Sequence, residues 1–313
     1  MAVFTLQPIF QERIWGGQNL RTLFGRDLPA GRPIGESWEL SDRPGAQTLL
    51  VESGKTLHEL WASADRREIF GSAAPDDQRF PILIKLLDAR DKLSLQVHPP
   101  AALAPKFNGE PKTELWYFLE TSPSAEIYVG LKKGVTRGKF ERAIADQTVA
   151  DCFHVLKTAP GEAMFLPSGR VHAIGAGNVI LEIQQNSDTT FRVYDWDRVG
   201  ADGRPRALHV SESLACINFH DFEPAFAQPH ADRVVACPYF TVRRHWFDEP
   251  GQTGDLAVSG RGFYFLFVAR GKFTVNGKEH GRGASLFVTA APGTLALASL
   301  ENLGELLTVT WPE

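Results

Sequence analysis

The sequence predicts a mainly β protein in which a few helices interrupt many short strands. Runs rich in β-branched, aromatic or leucine residues recur along the chain, at residues 81–87, 115–119, 179–184, 263–268 and 306–311. Turn-forming pairs such as Asn276-Gly277 and Pro292-Gly293 separate runs of this kind. Many short strands with frequent turns are typical of a β-barrel or a β-sandwich.

Three segments carry helix signals. Residues 56–59 have the form of a capping box, in which Thr56 and Glu59 satisfy the first free amides of a helix, and apolar residues follow at helical spacing. Residues 136–147 and 211–217 are the other two candidates. All three precede residue 220, so we expect the helices to surround the N-terminal part of the β structure.

Length and composition indicate one large globular domain or two of ordinary size. The chain has 313 residues, of which 43% are hydrophobic and 22% charged, so it can bury a sizeable core. Its formal net charge of −4 lacks the basic excess of a nucleic-acid binder. The longest apolar run, residues 262–269, is far shorter than the ~20 residues that span a bilayer.

The cysteines and the N-terminal residues indicate a reducing compartment. Cys152, Cys216 and Cys237 are odd in number, far apart and form no CxxC pair, which argues against a disulfide framework or a thiolate zinc site. The first eleven residues have neither a basic start nor a long apolar run, so a secretory signal is not expected. We therefore expect a cytoplasmic protein without a nucleic-acid or membrane partner.

A domain boundary is expected near residues 221–235. Residues 221–232 contain two prolines and little periodicity, and strand patterns follow almost to the end of the chain. Residues 160–166 and 281–288 are weakly similar, since each has a glycine turn that leads into a strand. Two related barrels would show such an internal repeat. We therefore divide the chain into residues 1–228 and 229–313.

Polar residues with potential chemistry lie in two neighbouring segments. Side chains alternate along a strand, so Ser94, Gln96 and His98 point to the same face. Burying these polar side chains in a barrel interior costs free energy unless they bind a ligand or a metal. The alternative is that this strand faces solvent. Glu114 opens an apolar strand and is either a rim residue or a ligand.

A third segment, residues 160–172, has the spacing of a known barrel motif. Gly161, Pro167, Gly169 and His172 follow the second cupin motif, in which turns at the barrel mouth lead into a strand that directs the imidazole inward. The asparagine that normally follows the histidine by four residues is displaced here to position 178.

Together these segments offer a metal-binding set of Gln96, His98, Glu114 and His172. Two neutral imidazoles, one carboxylate and one amide oxygen form a zinc set that leaves room for water or substrate. The same core of two histidines and one carboxylate suits Fe(II), so the spacing leaves both metals open.

Seven stretches of the chain carry a family resemblance: residues 8–17 (PIFQERIWGG), 35–40 (GESWEL), 81–99, 112–117, 160–172, 187–192 (SDTTFR) and 205–214 (PRALHVSESL). In this order, over roughly the first 220 residues, the chain resembles type I mannose-6-phosphate isomerases of the short bacterial form. The resemblance implies two cupin-like, jelly-roll β-barrels with a few helices inserted around the first. Residues 1–228 would be catalytic, and residues 229–313 would form a second, non-catalytic barrel.

The resemblance also implies the reaction and the cofactor. Members of the family interconvert mannose 6-phosphate and fructose 6-phosphate by moving a proton between C2 and C1 through a cis-enediol. One Zn²⁺ per chain would be held by the set reached above from spacing, namely Gln96, His98, Glu114 and His172. The implied partner is a small phosphosugar, and we favour a monomer.

Other polar residues take roles from the same resemblance. Glu182 is similar in position to a family glutamate proposed as the base, and the alternative is a carboxylate that orients a ligand histidine. Arg192 matches the family's active-site arginine, which would stabilise the enediolate or position the sugar. Lys112 is the third expected catalytic residue. The residues expected to bind the substrate and its phosphate are Lys85, Ser94 and Arg198. For Arg198 a structural ion pair is the alternative.

Two other functions remain open at this point. A non-haem iron cupin oxygenase would use the same histidines and carboxylate, but the glutamine ligand and the cations Lys85, Lys112 and Arg192 favour an anionic substrate. A non-enzymatic sugar-phosphate-binding cupin would not need the intact set of ligands. Metal analysis distinguishes the first from an isomerase, and turnover of mannose 6-phosphate distinguishes the second.

Overall fold

The computed structural model describes residues 1–200 and 203–312, and it confirms a mainly β protein with few helices. The first strands are β1 (Val3–Gln7), β2 (Ile9–Gly17), β3 (Ile34–Leu40), β4 (Asp42–Arg43), β5 (Ala46–Gln47), β6 (Leu49–Leu50), β7 (Lys55–Thr56), β8 (Ile82–Ala89), β9 (Leu95–Val97), β10 (Glu114–Thr121), β11 (Glu126–Leu131), β12 (Phe153–Lys157), β13 (Ala163–Leu166), β14 (His172–Ile174), β15 (Asn178–Gln185) and β16 (Phe191–Tyr194). The strands after residue 228 are β17 (Arg233–Ala236), β18 (Thr241–Phe247), β19 (Thr253–Val258), β20 (Tyr264–Arg270), β21 (Phe273–Val275), β22 (Lys278–His280), β23 (Ser285–Val288), β24 (Gly293–Ser299) and β25 (Gly304–Thr310).

The helices are short and belong to the first part of the chain, as expected. The α-helices are α1 (Asn19–Phe24), α2 (Leu57–Trp61), α3 (Arg66–Phe70), α4 (Arg137–Ala145) and α5 (Val210–Cys216). Short 3₁₀ turns occupy Val51–Ser53, Ala104–Phe107 and Val149–Cys152. The capping box of α2 is confirmed, because the Thr56 and Glu59 side chains satisfy each other's backbone amides. Within residues 1–200 and 203–312, no helix combines the length and the apolar character that a membrane crossing requires.

Four sheets stack as successive layers. Their strand orders are β12-β11-β14-β9-β16 in a five-stranded sheet, β13-β10-β15-β8-β2-β3 in a six-stranded sheet, β17-β18-β25-β20-β23-β1-β6-β7 in an eight-stranded sheet, and β19-β24-β21-β22 in a four-stranded sheet. An apolar cluster lies between each sheet and the next. We call the five- and six-stranded pair the first sandwich, and the eight- and four-stranded pair the second sandwich. Each jelly-roll barrel expected from the sequence thus takes the form of two packed sheets.

The six-stranded sheet is buried on both faces, because its strands alternate between two cores. On β10, Leu115 and Tyr117 enter the core shared with the eight-stranded sheet, whereas Trp116 and Phe118 face the five-stranded sheet. A strand covered on both faces needs apolar residues at nearly every position, which explains the continuous run at residues 81–87. The outer face of the five-stranded sheet is covered by α4 and α5.

The N-terminal strand joins the two sandwiches. Strand β1 pairs with β23 on one side and with β6 on the other, so residues 3–7 lie inside the eight-stranded sheet. Aromatic rings from both parts of the chain meet in the shared core, where Phe263 lies 5.2 Å from Phe80 and 4.6 Å from Trp311 between centroids. A purely sequential division at residue 228 therefore separates β1, β6 and β7 from the sheet to which they belong.

Candidate functional site

Three side chains that could bind a metal meet between the sheets of the first sandwich. Glu114 is the first residue of β10, His172 is the first residue of β14, and His98 directly follows β9. Their potential ligand atoms lie within 4.8 Å of one another, and all three side chains are buried. Three segments far apart in sequence therefore contribute to one small group of ligand atoms.

Backbone carbonyls orient both imidazoles. The Nδ1 atom of His98 lies 2.8 Å from the Thr189 carbonyl oxygen, and that of His172 lies 2.9 Å from the Arg170 carbonyl oxygen. A carbonyl only accepts, so each Nδ1 carries the hydrogen and each Nε2 keeps its lone pair. Burial lowers the pKa of both imidazoles, to about 3 for His172, so both are in the neutral form that binds metals.

The two Nε2 atoms face the Glu114 carboxylate, although each of these atoms is an acceptor. The Nε2 of His98 lies 3.6 Å from Oε2, and the Nε2 of His172 lies 3.4 Å from Oε1. Among the described residues, neither His98 Nε2 nor Glu114 Oε1 has a hydrogen-bond partner, although both atoms are buried. Converging lone pairs in a buried site favour a bound cation, and two imidazoles with one carboxylate fit Zn²⁺ or Fe(II).

Gln96 is the neighbour of this group on the adjacent strand. Its backbone pairs with His172 across β9 and β14, and its side-chain Nε2 lies 3.3 Å from the Nε2 of His172. Ser94 Oγ donates to the Gln96 Oε1 at 3.4 Å. Rotation of the amide by half a turn exchanges its oxygen and nitrogen, so the same position can present an oxygen ligand to a cation.

Buried opposite charges continue from the metal-ligand group along the six-stranded sheet. The Lys112 Nζ lies 2.8 Å from Glu114 Oε2 and 3.6 Å from Glu182 Oε1. The Lys85 Nζ lies 3.4 Å from Glu182 Oε1 and 4.0 Å from Glu36 Oε2. Lys85, which we expected to bind a phosphate, therefore already faces two carboxylates of the protein.

Glu182 lies in the middle of this row of charges. It pairs across the sheet with Trp116 on one side and Lys85 on the other, and Trp116 Nε1 donates to its Oε2 at 3.0 Å. Burial raises the pKa of the Glu182 carboxyl, but Lys112 and Lys85 outweigh that effect, and the net shift is downward. The carboxylate is therefore ionised at neutral pH and able to accept a proton.

A cavity of about 400 Å³ opens onto these charges. Six residues predicted from the sequence line it: Lys85, Ser94, Gln96, Lys112, Glu182 and Arg192. Several charged or polar lining residues had no role in the sequence analysis: Arg13, Glu36, Asp188, Thr190 and Arg206. All five lie inside stretches that carried the family resemblance, which was the one signal available for them.

Arg198 is the predicted site residue that the structure places elsewhere. Its Nη2 lies 2.6 Å from the Asp195 Oδ1, and its Nη1 lies 3.5 Å from an Asp91 carboxylate oxygen. It is not among the residues that line the cavity, so the structural ion pair considered from the sequence is the arrangement observed. Arg206, which also pairs with Asp195, lines the cavity instead.

Comparisons with known proteins agree with this arrangement. The profile of the family described as phosphomannose isomerase type I, catalytic domain, matches residues 3–117. The chain is 40% identical over 252 residues to the mannose-6-phosphate isomerase of Streptococcus mutans, a match that covers 76% of each chain. It is 38% identical over 248 residues to mannose-6-phosphate isomerase ManA of Bacillus subtilis, covering 75% of this chain and 76% of that protein.

The likeness extends to the whole fold. A crystal structure of the mannose 6-phosphate isomerase from Bacillus subtilis superposes with a TM-score of 0.86 at 28% identity, and the match covers 99% of each chain. The sequence relatives and the structural match identify the same family. This chain belongs to the type I mannose-6-phosphate isomerases.

Proposed function

We propose that this protein is a zinc-dependent isomerase that interconverts mannose 6-phosphate and fructose 6-phosphate by proton transfer between C2 and C1 through a cis-enediol. The observation that carries the proposal is the buried group of His98, Glu114 and His172, next to the carboxylate of Glu182 and the ammonium of Lys112. This donor set, with Gln96 as fourth ligand, suits one Zn²⁺ per chain. When bound, the zinc supplies a Lewis acid that polarises the sugar carbonyl and the adjacent hydroxyl.

Glu182 is the proposed base. Its carboxylate accepts the proton from C2, the C–H electron pair forms the C1–C2 double bond, and the carbonyl oxygen on C1 becomes the anionic oxygen of the enediolate. Return of the proton to C1, together with movement of the hydroxyl proton from O2 to O1, completes the ketose. The alternative, in which Glu182 orients a ligand histidine, is disfavoured because the Nδ1 atoms of His98 and His172 already bind carbonyls.

Lys112 and Arg192 are proposed to stabilise the enediolate. Burial lowers the pKa of the Lys112 ammonium, but Glu114 and Glu182 raise it more, so it stays protonated and remains a donor. Arg192 pairs with Gln96 across β16 and β9, so its side chain lies on the same face as the metal-binding group. Fixed positive groups beside a developing oxyanion lower the barrier because they need no reorganisation during the reaction.

A coupled isomerase assay on mannose 6-phosphate, before and after chelation, tests the proposal. We expect the protein purified without added metal to contain about one zinc per chain, to lose turnover when the metal is removed, and to regain it with Zn²⁺. Full turnover by metal-free protein would contradict the metal requirement. Recovery with Fe(II) and not with Zn²⁺ would favour the oxygenase, and zinc-loaded protein that binds the sugar phosphate without converting it would favour a non-enzymatic binder.

A further inference from the structure

Two arginines contact one buried aspartate beside the cavity, and a third arginine lines the cavity nearby. Asp195 is only 5% exposed and follows β16 directly. Arg198 approaches its Oδ1 at 2.6 Å, and Arg206 contacts both carboxylate oxygens, with its Nε 2.7 Å from Oδ2. Arg192 lines the same cavity as Arg206. Arg198 and Arg206 therefore share the Asp195 carboxylate, Arg198 also reaches Asp91, and Arg192 lies at the same cavity as Arg206.

Two of these arginines, Arg192 and Arg206, line the cavity and have guanidinium N–H groups that are not hydrogen-bonded within the described part of the chain. Arg206 uses Nε and Nη2 on Asp195, and its Nη1 has no hydrogen-bond partner among residues 1–200 and 203–312. Arg192 donates from Nη1 to the Ala207 carbonyl at 2.8 Å, while its buried Nε lacks a partner in the same described part of the chain. Unsatisfied guanidinium donors beside a cavity suit an anionic ligand with several oxygen atoms.

The two lysines at the cavity are instead paired with carboxylates of the protein. Lys85 and Lys112 are in contact with three carboxylates, those of Glu36, Glu114 and Glu182. Arg13 pairs with Glu36 as well. A sugar phosphate carries between one and two negative charges at neutral pH. It therefore suits the arginines, which have free donors at the cavity, better than the two lysines, each of which already contacts two carboxylates of the protein.

We propose that Arg206, held in place by Asp195, is the principal residue that binds the phosphate of the substrate. The inference rests on the proposed function, because it takes a 6-phosphosugar as the substrate. Arg206 then determines specificity for the phosphorylated sugar. Asp195 is a positioning residue, since its carboxylate fixes the guanidinium plane without touching the substrate. Lys85 is left to hold Glu182 and Glu36.

Steady-state kinetics of an Arg206→Gln variant with mannose 6-phosphate test this assignment. We expect KM to rise about 10- to 100-fold, the range for loss of a charge-assisted hydrogen bond, with kcat changed by less than about threefold. The inhibition constant of inorganic phosphate should rise by a similar factor. An Arg206→Lys variant keeps the charge but loses the planar guanidinium, so its KM should rise less. If Arg206→Gln does not fold, the kinetics of Arg206→Lys are used for the test instead.

Arg282→Gln is the matched control. The Arg282 side chain is 27% exposed, as that of Arg206 is, and it pairs with Glu120 away from the cavity. We expect its KM, kcat and phosphate inhibition to match those of the unmodified protein. Asp195→Asn should raise KM by a smaller factor than Arg206→Gln while kcat is retained, which a merely structural role for Asp195 would not produce.

The outcomes separate this inference from the proposed function. If the unmodified protein converts mannose 6-phosphate but Arg206→Gln leaves KM and phosphate inhibition unchanged, the assignment of Arg206 is wrong and the isomerase function stands. A larger rise of KM in Arg198→Gln, or in Lys85→Gln, would also overturn it. Absence of turnover by the zinc-loaded, unmodified protein would instead overturn the proposed function.

Discussion

The two sandwiches share an antiparallel two-sheet architecture but differ in what lies between their sheets. In the second sandwich the sheets meet through a cluster of buried apolar side chains that includes Val268, Leu286 and Leu295. In the first sandwich a similar apolar cluster shares the interior with buried charged and imidazole residues, among them Lys85, His98, Lys112, Glu114, Glu182 and His172. The same two-sheet architecture therefore encloses an apolar core in the second sandwich and the candidate site in the first.

The contrast between a charged and an apolar interior indicates which part of the protein contributes most to the free energy of folding. Burying charges costs free energy even when they are paired, so the interior of the first sandwich contributes less than an apolar interior of the same size. The shared core between the six- and eight-stranded sheets is apolar and aromatic, with Phe80, Phe263 and Trp311 in mutual contact. We infer that the second sandwich and this shared core offset the free-energy cost of the buried charges.

Removal of residues 231–313 tests whether the first sandwich depends on the second, and it has the largest expected effect. The truncation takes five strands from the eight-stranded sheet and uncovers the face of the six-stranded sheet that carries Leu115, Tyr117 and Leu181. We expect loss of cooperative thermal unfolding and of turnover, because that face would be exposed to water and to other chains. Circular dichroism and gel filtration would measure this. A folded, active fragment of residues 1–230 would show that the sandwiches are independent.

Removal of one buried imidazole from each sandwich compares their roles in metal binding. His172→Ala should lose both the bound zinc and turnover, the latter to the limit of the assay, because one of the converging Nε2 lone pairs disappears. His280→Ala removes an imidazole that is 8% exposed in the second sandwich and should keep both. Elemental analysis of the two purified variants measures the difference. Retention of stoichiometric zinc by His172→Ala would show that the ligand assignment is wrong.

Neutralisation of one buried carboxylate in each sandwich compares their roles in proton transfer. Glu182→Gln keeps the shape of the side chain but cannot accept the C2 proton, so turnover should fall about 10²- to 10⁴-fold with zinc content unchanged. Glu305→Gln alters a carboxyl that is 6% exposed and bonded to the Tyr117 hydroxyl, and it should leave turnover within about threefold. Exchange of the substrate's C2 proton with solvent deuterium, followed by NMR, gives the direct readout. Normal exchange by Glu182→Gln would exclude it as the base.

The smallest expected effect on catalysis comes from the apolar interior of the second sandwich. Leu295 is fully buried on β24, so Leu295→Ala should lower the free energy of unfolding by about 2–5 kcal/mol through lost contacts and a cavity. We expect kcat and KM of the folded variant to stay unchanged. Urea unfolding and steady-state kinetics on the same sample check both statements. A large fall in kcat at a temperature where the variant is folded would mean that the second sandwich does more than stabilise.

Much of the first sandwich could be predicted from local sequence. Alternation along each strand placed Ser94 and Gln96 on the face that lines the cavity, and the glycine and proline spacing before His172 indicated a strand that starts at that histidine. Outside the first sandwich, the capping box at Thr56 correctly predicted the start of a helix. These features depend on residues within a few positions of one another, so the order of the side chains is sufficient to specify them.

The amino-acid sequence was sufficient to predict the β class, many of the strands and the family. Only the tertiary structure decided that residues 3–7 complete a sheet built mainly from the other end of the chain, and that Lys85 faces carboxylates of the protein. It also decided that Arg206 rather than Arg198 faces the cavity, although both contact Asp195. The physical reason is that these outcomes depend on which distant surfaces pack together and on how neighbouring charges share their partners. Neither property is recorded in the spacing of residues along one strand or loop.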